Sequence, residues 1–117
     1  MSEPAWKRHE RQLAEWLGLQ TTPGSGNQFN APGDAVDNSR LLDNPFALMV
    51  DGKETSRKSY SLSSLFLRQS HRTAAERGKR FVLAVRFSAA SDEDYVVVGL
   101  HDFMEILEAA RGADALG

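Results

Sequence analysis

The chain has 117 residues, of which 41% are hydrophobic, and this suits one domain with a single modest core. It contains no cysteine, which excludes disulfides and thiolate metal sites. The three histidines are far apart and lack zinc-type spacing. No apolar run approaches the ~20 residues of a membrane span, and the N-terminus lacks the apolar core of a secretory signal. The composition predicts a soluble intracellular protein.

The net charge of −2 hides a strong charge asymmetry along the chain. Residues 52–86 hold nine basic and two acidic residues, a net charge of +7. Residues 1–51 carry −3 and residues 87–117 carry −6. A basic centre between acidic flanks is typical of a phosphate-binding face on a domain that is otherwise soluble. The alternative is a solvated helix face followed by an acidic tail.

A first helix is predicted over residues 3–17, with Pro4 in its first turn and Gly18 as its C-terminal stop. Glu10 falls on the apolar stripe of this helix, which consists of Trp6, Leu13 and Leu17. A carboxylate there needs a metal ion, a lysine or a hydrogen-bond donor as partner, unless it lies at the edge of the stripe and reaches water.

A polar, turn-rich segment follows at residues 20–33 and contains Gly24-Ser25-Gly26. Long connections of this kind are often functional. The glycines would allow close backbone approach, and the hydroxyl and amides of this tripeptide suit a phosphate. A plain surface loop is the alternative.

The remaining pattern predicts a mixed α/β fold in one domain over residues 1–117, with a central mixed sheet flanked by helices. The predicted order is helix, three strands, helix, strand, strand, helix. Two antiparallel strands are expected around residues 34–37 and 46–50, joined through Asp43-Asn44-Pro45. The later elements are a helix over 59–77 ended by Gly78, strands over 81–87 and 95–100, and a final helix capped by Asp102.

The tripeptide Asp51-Gly52-Lys53 follows the apolar run 46–50. A carboxylate and an ammonium two residues apart on a strand point to the same face, because side chains alternate with a period of two. Another acid, Asp34, lies upstream beside Gly33. A metal-dependent nuclease needs at least two carboxylates that hold a divalent metal ion at the phosphate of its substrate, and a lysine beside that phosphate.

Two alternatives remain open for these acids. Asp51-Gly52 also matches a two-residue hairpin turn. In that case residues 53–59 would be the partner strand, although they are almost wholly polar and would bury little. Asp34 would equally suit an Asx turn after Pro32-Gly33.

Several motifs together resemble the PD-(D/E)XK nuclease superfamily, and within it the small archaeal-type and phage-type Holliday junction resolvases. They are Glu10-Arg11, Gly24-Ser25-Gly26, Gly33-Asp34 and Val50-Asp51-Gly52-Lys53-Glu54-Thr55. The resemblance covers nearly the whole chain, and it implies a restriction-endonuclease-like core. It departs from the family pattern in three ways: Gly33 separates Pro32 from Asp34, the second acid is aspartate, and Asp37 rivals Asp34 as first ligand.

The resemblance also implies a role for individual residues. Asp34 and Asp51 would ligate Mg²⁺ (with Mn²⁺ as a substitute), together with the Gly52 carbonyl and Glu10 from the helix. Lys53 would position the attacking water. The implied DNA-contacting and supporting residues are Ser25, Thr55, Arg57, Lys58 and Arg68.

The expected activity is Mg²⁺-dependent, structure-selective cleavage of branched DNA. A homodimer would cut a four-way junction by paired symmetric nicks, as in DNA recombination and repair in the cytoplasm of a prokaryote or a phage-infected cell. Other possibilities are another nuclease of this superfamily of the nicking, repair or restriction type, a non-catalytic nucleic-acid-binding protein on a decayed nuclease fold, and a protein–protein adaptor.

Overall fold

The computed structural model describes residues 3–21, 35–36 and 47–116. It confirms the predicted order of elements and the mixed sheet flanked by helices. The elements are α1 (Ala5–Leu17), β1 (Gln20–Thr21), β2 (Ala35–Val36), β3 (Leu48–Thr55), α2 (Ser64–Glu76), β4 (Arg80–Phe87), β5 (Glu93–Val98) and α3 (Leu100–Leu116). Among these, no helix has both the length and the apolar character needed to cross a membrane.

The strands form one sheet in chain order, from β1 to β5. Neighbouring strands are antiparallel except β3 and β4, which are parallel and connected through α2. The predicted antiparallel pairing before residue 50 is confirmed, since Ala35 pairs with Val50 and Val36 with Met49. The turn predicted at residues 43–45 lies outside the described residues.

The hairpin alternative for Asp51-Gly52 is excluded by the course of β3. Both residues lie inside this strand, which continues to Thr55 and stays in parallel register with β4 throughout. Asp51 pairs with Leu83, and Lys53 pairs with Val85. The polar residues after Gly52 therefore extend the same strand instead of turning back on it.

Each face of the sheet carries its own apolar cluster, because side chains alternate along the strands. The cluster under α1 contains Leu13, Leu19, Val50, Val82 and Ala84. The cluster under α2 contains Met49, Ala74, Phe81, Leu83 and Val85. Residues 80–86 of β4 are buried on both faces, as expected for a central strand covered by helices.

Helix α1 ends where the sequence predicts, but it buries a different stripe. Gly18 adopts φ 66°, the left-handed conformation that terminates helices. Of the predicted stripe only Leu13 is buried, whereas Trp6 is 43% exposed and Leu17 is 41% exposed. His9, four residues before Leu13, is buried instead. This polar side of the helix faces charged groups of the sheet: His9 Nε2 lies 3.5 Å from Asp94 Oδ1, and Gln12 accepts a hydrogen bond from a buried arginine.

That arginine is Arg86 of β4, which is only 1% exposed. Its Nε and Nη2 donate hydrogen bonds to the Asp94 carboxylate of β5 at 2.8 and 3.0 Å. Its Nη1 donates to Gln12 Oε1 of α1 at 2.6 Å. The guanidinium also lies 5.5 Å from the centre of the Trp16 ring. One buried cation thus connects α1 to both C-terminal strands.

The starts of the other two helices differ from prediction. Helix α2 begins at Ser64, five residues later than expected, because the Ser63 hydroxyl accepts the Phe66 N–H and caps the helix there. The prediction that Asp102 caps the final helix is wrong. Helix α3 begins at Leu100, so Asp102 lies in its first turn, where its buried carboxylate accepts a hydrogen bond from Arg80.

We expect Arg86→Met to destabilise the fold by roughly 2 to 3 kcal/mol, because it removes the buried guanidinium that donates hydrogen bonds to Asp94 and to Gln12. Urea denaturation followed by circular dichroism measures the change. Arg11→Met is the matched control, since Arg11 pairs with Glu3 at 3.1 Å on the surface, away from Arg86. It should change stability by less than about 1 kcal/mol. Equal effects of the two variants would contradict a structural role for the buried network.

Candidate active site and nucleic-acid interface

Asp51 and Lys53 share one face of β3. Met49, two residues before Asp51, belongs to the cluster under α2, so the alternation places both polar side chains on the α2 side of the sheet. Asp51 is half-buried and Lys53 is exposed. The strand therefore presents an acid and an amine about 7 Å apart along its axis.

Three of the predicted residues, Ser25, Asp34 and the rival ligand Asp37, lie outside the described residues. The described residues Ala35 and Val36 are the chain neighbours of Asp34 and Asp37. Ala35 follows Asp34 in the chain and pairs with Val50, which precedes Asp51. The antiparallel ladder thus brings together the chain neighbours of the two predicted metal ligands.

Glu10 is placed on the other side of the sheet. It belongs to α1, whose buried Leu13 packs against Val50, Val82 and Ala84 on the face opposite Asp51 and Lys53. The structure therefore brings Asp51 and Lys53 together but does not bring Glu10 onto their face. Gly52, between them, is half-buried and pairs with Ala84.

The end of β3 is stabilised by a hydrogen bond between Thr55 and Arg57. The Thr55 hydroxyl, predicted to support the lysine, accepts a hydrogen bond from the Arg57 backbone N–H at 3.1 Å. It therefore stabilises the bend in which the chain leaves the strand. Arg57 and Lys58 follow directly and are both exposed.

A groove of about 400 Å³ opens at this end of the sheet. Its polar and aromatic lining consists of Arg57, Lys58, Phe87, Glu93 and Tyr95. The Tyr95 hydroxyl donates to Glu93 Oε2 at 3.1 Å, and this hydrogen bond to a carboxylate raises the pKa of Tyr95 above its usual value. The Tyr95 and Phe87 rings meet edge to face, with centroids 6.0 Å apart.

Sequence reasoning missed the three groove residues that come from β4 and β5. They are separated from Lys53 by more than thirty positions in the chain. The sheet register unites them, since Val85 pairs with both Lys53 and Tyr95, and Phe87 pairs with both Thr55 and Glu93. No local motif signals such a grouping, and only the strand pairing could have predicted it.

Unneutralised positive charge surrounds this end of β3 and the helix that follows it. Among the described residues, six exposed cations between positions 53 and 77 have no carboxylate within salt-bridge distance: Lys53, Arg57, Lys58, Arg68, Arg72 and Arg77. Elsewhere in the described residues Arg8, Arg11 and Arg86 are each paired with an acid, whereas the exposed Lys7 and Arg111 have no ion pair. The density of such cations between positions 53 and 77 makes this surface suited to an external polyanion.

A second polar cluster lies on α3, away from Asp51. His101, Asp102 and Glu105 offer ligand atoms within 4.8 Å of one another, which is close enough to hold a metal ion. However, Arg80 Nη1 donates to Asp102 Oδ1 at 2.9 Å and to Glu105 Oε1 at 2.8 Å. A guanidinium thus already supplies the positive charge that these carboxylates require. The hydrogen bond from Arg80 also lowers the pKa of Glu105.

No protein-family model matches the chain, and no curated protein sequence matches it. The resemblance to PD-(D/E)XK nucleases therefore stays a prediction that depends on the residues themselves.

We expect Glu105→Gln to remove a pH-dependent contribution to stability. The pKa of Glu105 is lower in the folded protein than its usual 4.5, so its pairing with Arg80 stabilises the fold above that value. The contribution is lost as the pH falls through the lowered pKa. The difference in unfolding free energy between wild type and variant should therefore be present at neutral pH and shrink in acid.

Urea denaturation at a series of pH values measures this difference. Glu108→Gln is the matched control, because Glu108 lies exposed on the same helix and has no ion pair with any described residue. A difference for Glu105→Gln that stays constant from neutral to acid pH would show that the ion pair with Arg80 does not carry the effect.

Proposed function

We propose that this protein is a Mg²⁺-dependent, structure-selective DNA endonuclease of the PD-(D/E)XK type that resolves Holliday junctions. The observation that carries the proposal is the shared placement of Asp51 and Lys53 on one face of an uninterrupted strand. The strand leads directly into Arg57 and Lys58, which have no acidic partner among the described residues. An acid, an amine and a basic surface are thus contiguous.

The residues suit the chemistry of phosphodiester hydrolysis. Carboxylate oxygens such as those of Asp51 are the hard ligands that Mg²⁺ prefers, and Asp34 or its rival Asp37 is the proposed second acid. When bound, the ion would neutralise charge on the phosphate and lower the pKa of a coordinated water. Lys53, on the same face as Asp51, is suited to donate hydrogen bonds to the phosphate or to orient the attacking water.

The basic surface is suited to hold the DNA backbone. Arg57 and Lys58 adjoin the strand end, and Arg68 and Arg72 are exposed on successive turns of α2. Lysine and arginine contacts to phosphates supply affinity that is independent of sequence and falls with rising salt. Such contacts agree with an enzyme that recognises the shape of its DNA more than its base sequence.

A four-way junction requires two strands to be cut symmetrically. A two-fold homodimer would place two equivalent sites in the required relation, and we therefore propose that the enzyme acts as a dimer. Its place of action would be the cytoplasm of a prokaryote or of a phage-infected host cell, where recombining and repaired DNA is accessible.

Nucleic-acid binding without cleavage is the second candidate. It is favoured by one specific observation: Glu10, the proposed helical contribution to the site, lies on the helix covering the opposite face of the sheet. A protein of this kind would use the same basic surface but would not depend on Asp51. The two candidates therefore differ in the effect of a single substitution.

We expect the wild-type protein to cut a synthetic four-way junction by paired symmetric nicks only when Mg²⁺ or Mn²⁺ is present. Asp51→Asn should abolish cutting, because the amide is a poor metal ligand, while junction affinity is retained. Lys53→Met should slow cutting by about 100-fold or more through loss of charge stabilisation. Denaturing gel electrophoresis of end-labelled strands measures both effects.

Glu15→Gln is the matched control, since Glu15 is an exposed acid on α1 and should leave the cleavage rate unchanged. Junction affinity is measured in parallel by gel shift at several salt concentrations. Salt-dependent binding without metal-dependent cutting would support the non-catalytic candidate over the nuclease. Absence of any salt-dependent DNA binding would exclude both and leave the adaptor.

A further inference from the structure

We propose that the groove between the end of β3 and strand β5 receives one unstacked DNA base, and that capture of this base makes the protein prefer branched DNA. The proposal rests on the proposed function, because the base would belong to a nucleotide next to the phosphate at Asp51 and Lys53. The groove is lined by Arg57, Lys58, Phe87, Glu93 and Tyr95, together with Ala89 and Ala90.

The groove has the correct position for a neighbouring nucleotide. Tyr95 lies in register with Val85, which lies in register with Lys53, so all three side chains share a row on the α2 face. Adjacent strands are separated by about 4.8 Å, and Tyr95 is therefore about 10 Å from Lys53 across the sheet. A phosphate at Lys53 and a base at Tyr95 would be consecutive parts of one DNA strand.

The lining provides an aromatic platform of defined orientation. Tyr95 is 56% exposed, yet its ring is held at two points. Its hydroxyl is bonded to Glu93, and the Phe87 ring contacts it edge to face with an interplanar angle of 69°. Stacking on such a ring tolerates every base, because each base has a π-face. The groove volume of about 400 Å³ lies within the usual range for a small-ligand site.

The charges of the groove match a nucleotide as well. Arg57 and Lys58 are exposed cations without a carboxylate partner among the described residues, and they suit the flanking phosphates. The Glu93 carboxylate is engaged by the Tyr95 hydroxyl. The groove thus combines positive charge and an aromatic surface, which is the usual composition of sites for single-stranded nucleic acid.

Branch selectivity follows from the cost of unstacking. A base inside a continuous duplex must lose stacking and pairing to enter a groove, whereas a base that is already unpaired or poorly stacked loses less. A base at the branch point of an open four-way junction has a neighbouring base pair on one side only, so it has less stacking to lose. The groove would therefore add affinity for a junction that a linear duplex cannot obtain.

The test combines a protein substitution with removal of single DNA bases. Binding of a four-way junction is measured by fluorescence anisotropy in EDTA, so that the readout is independent of cutting. Each nucleotide near the branch point is replaced in turn by an abasic site. We expect one position at which loss of the base weakens wild-type binding by about tenfold, the usual effect of one stacked base. The same abasic site should have no effect on Tyr95→Ala.

Three variants control the experiment. Tyr95→Phe keeps the ring and should respond to the abasic site as the wild type does. Tyr95→Leu keeps apolar volume without a flat π-face and should behave as Tyr95→Ala. Val96→Ala changes an exposed side chain on the opposite face of β5 and should leave the response intact. Thermal melting verifies that each variant is folded.

If every abasic site weakens the binding of wild type and of Tyr95→Ala by the same factor, the groove does not bind a base. This result would overturn the proposal even if metal-dependent cutting is observed. Conversely, a tenfold effect lost in Tyr95→Ala would support the groove even if the protein cuts no DNA. The two proposals can therefore fail separately.

Discussion

The parallel pairing of β3 with β4 determines where each important side chain of this protein lies. Eight residues of β3 are in register with eight of β4, from Leu48 with Arg80 to Thr55 with Phe87. The register assigns Asp51 and Lys53 to the face under α2, and it assigns Val50 and Gly52 to the face under α1. A shift of one residue would exchange the two sets, because the side-chain period is two.

Charged side chains on the two sides of the sheet have different surroundings. Under α1, the guanidinium of Arg86 is buried and is satisfied by Asp94 and Gln12. A buried charge of this kind must be paired, which makes this side of the molecule structural. On the other side, exposed cations such as Arg57 and Arg68 have no acid beside them among the described residues. Exposed charges of this kind contribute little to the stability of the fold.

Much of the fold is predictable from local signals in the sequence, whereas the grouping of the site is only partly so. Gly18 ends α1, and Gly78 lies in the turn after α2. Both adopt a positive φ, which glycine tolerates without strain. The inward orientation of His9 was not predictable, because helical periodicity does not reveal the Asp94 carboxylate of a distant strand, which lies 3.5 Å from His9 Nε2. Tyr95 joins the groove through strand register alone. Local spacing correctly placed Asp51 and Lys53 on one face of the sheet. It could not predict that α1, with Glu10, covers the opposite face.

Location of the metal ion in a crystal of the protein with Mn²⁺ and a four-way junction is the most direct measurement. The anomalous scattering of manganese identifies the ion independently of the surrounding density. An anomalous peak within about 2 to 2.5 Å of the Asp51 carboxylate, with Lys53 beside the nearest phosphate, is the predicted result. A peak only at His101, Asp102 and Glu105, or no peak near Asp51 at saturating Mn²⁺, would contradict it.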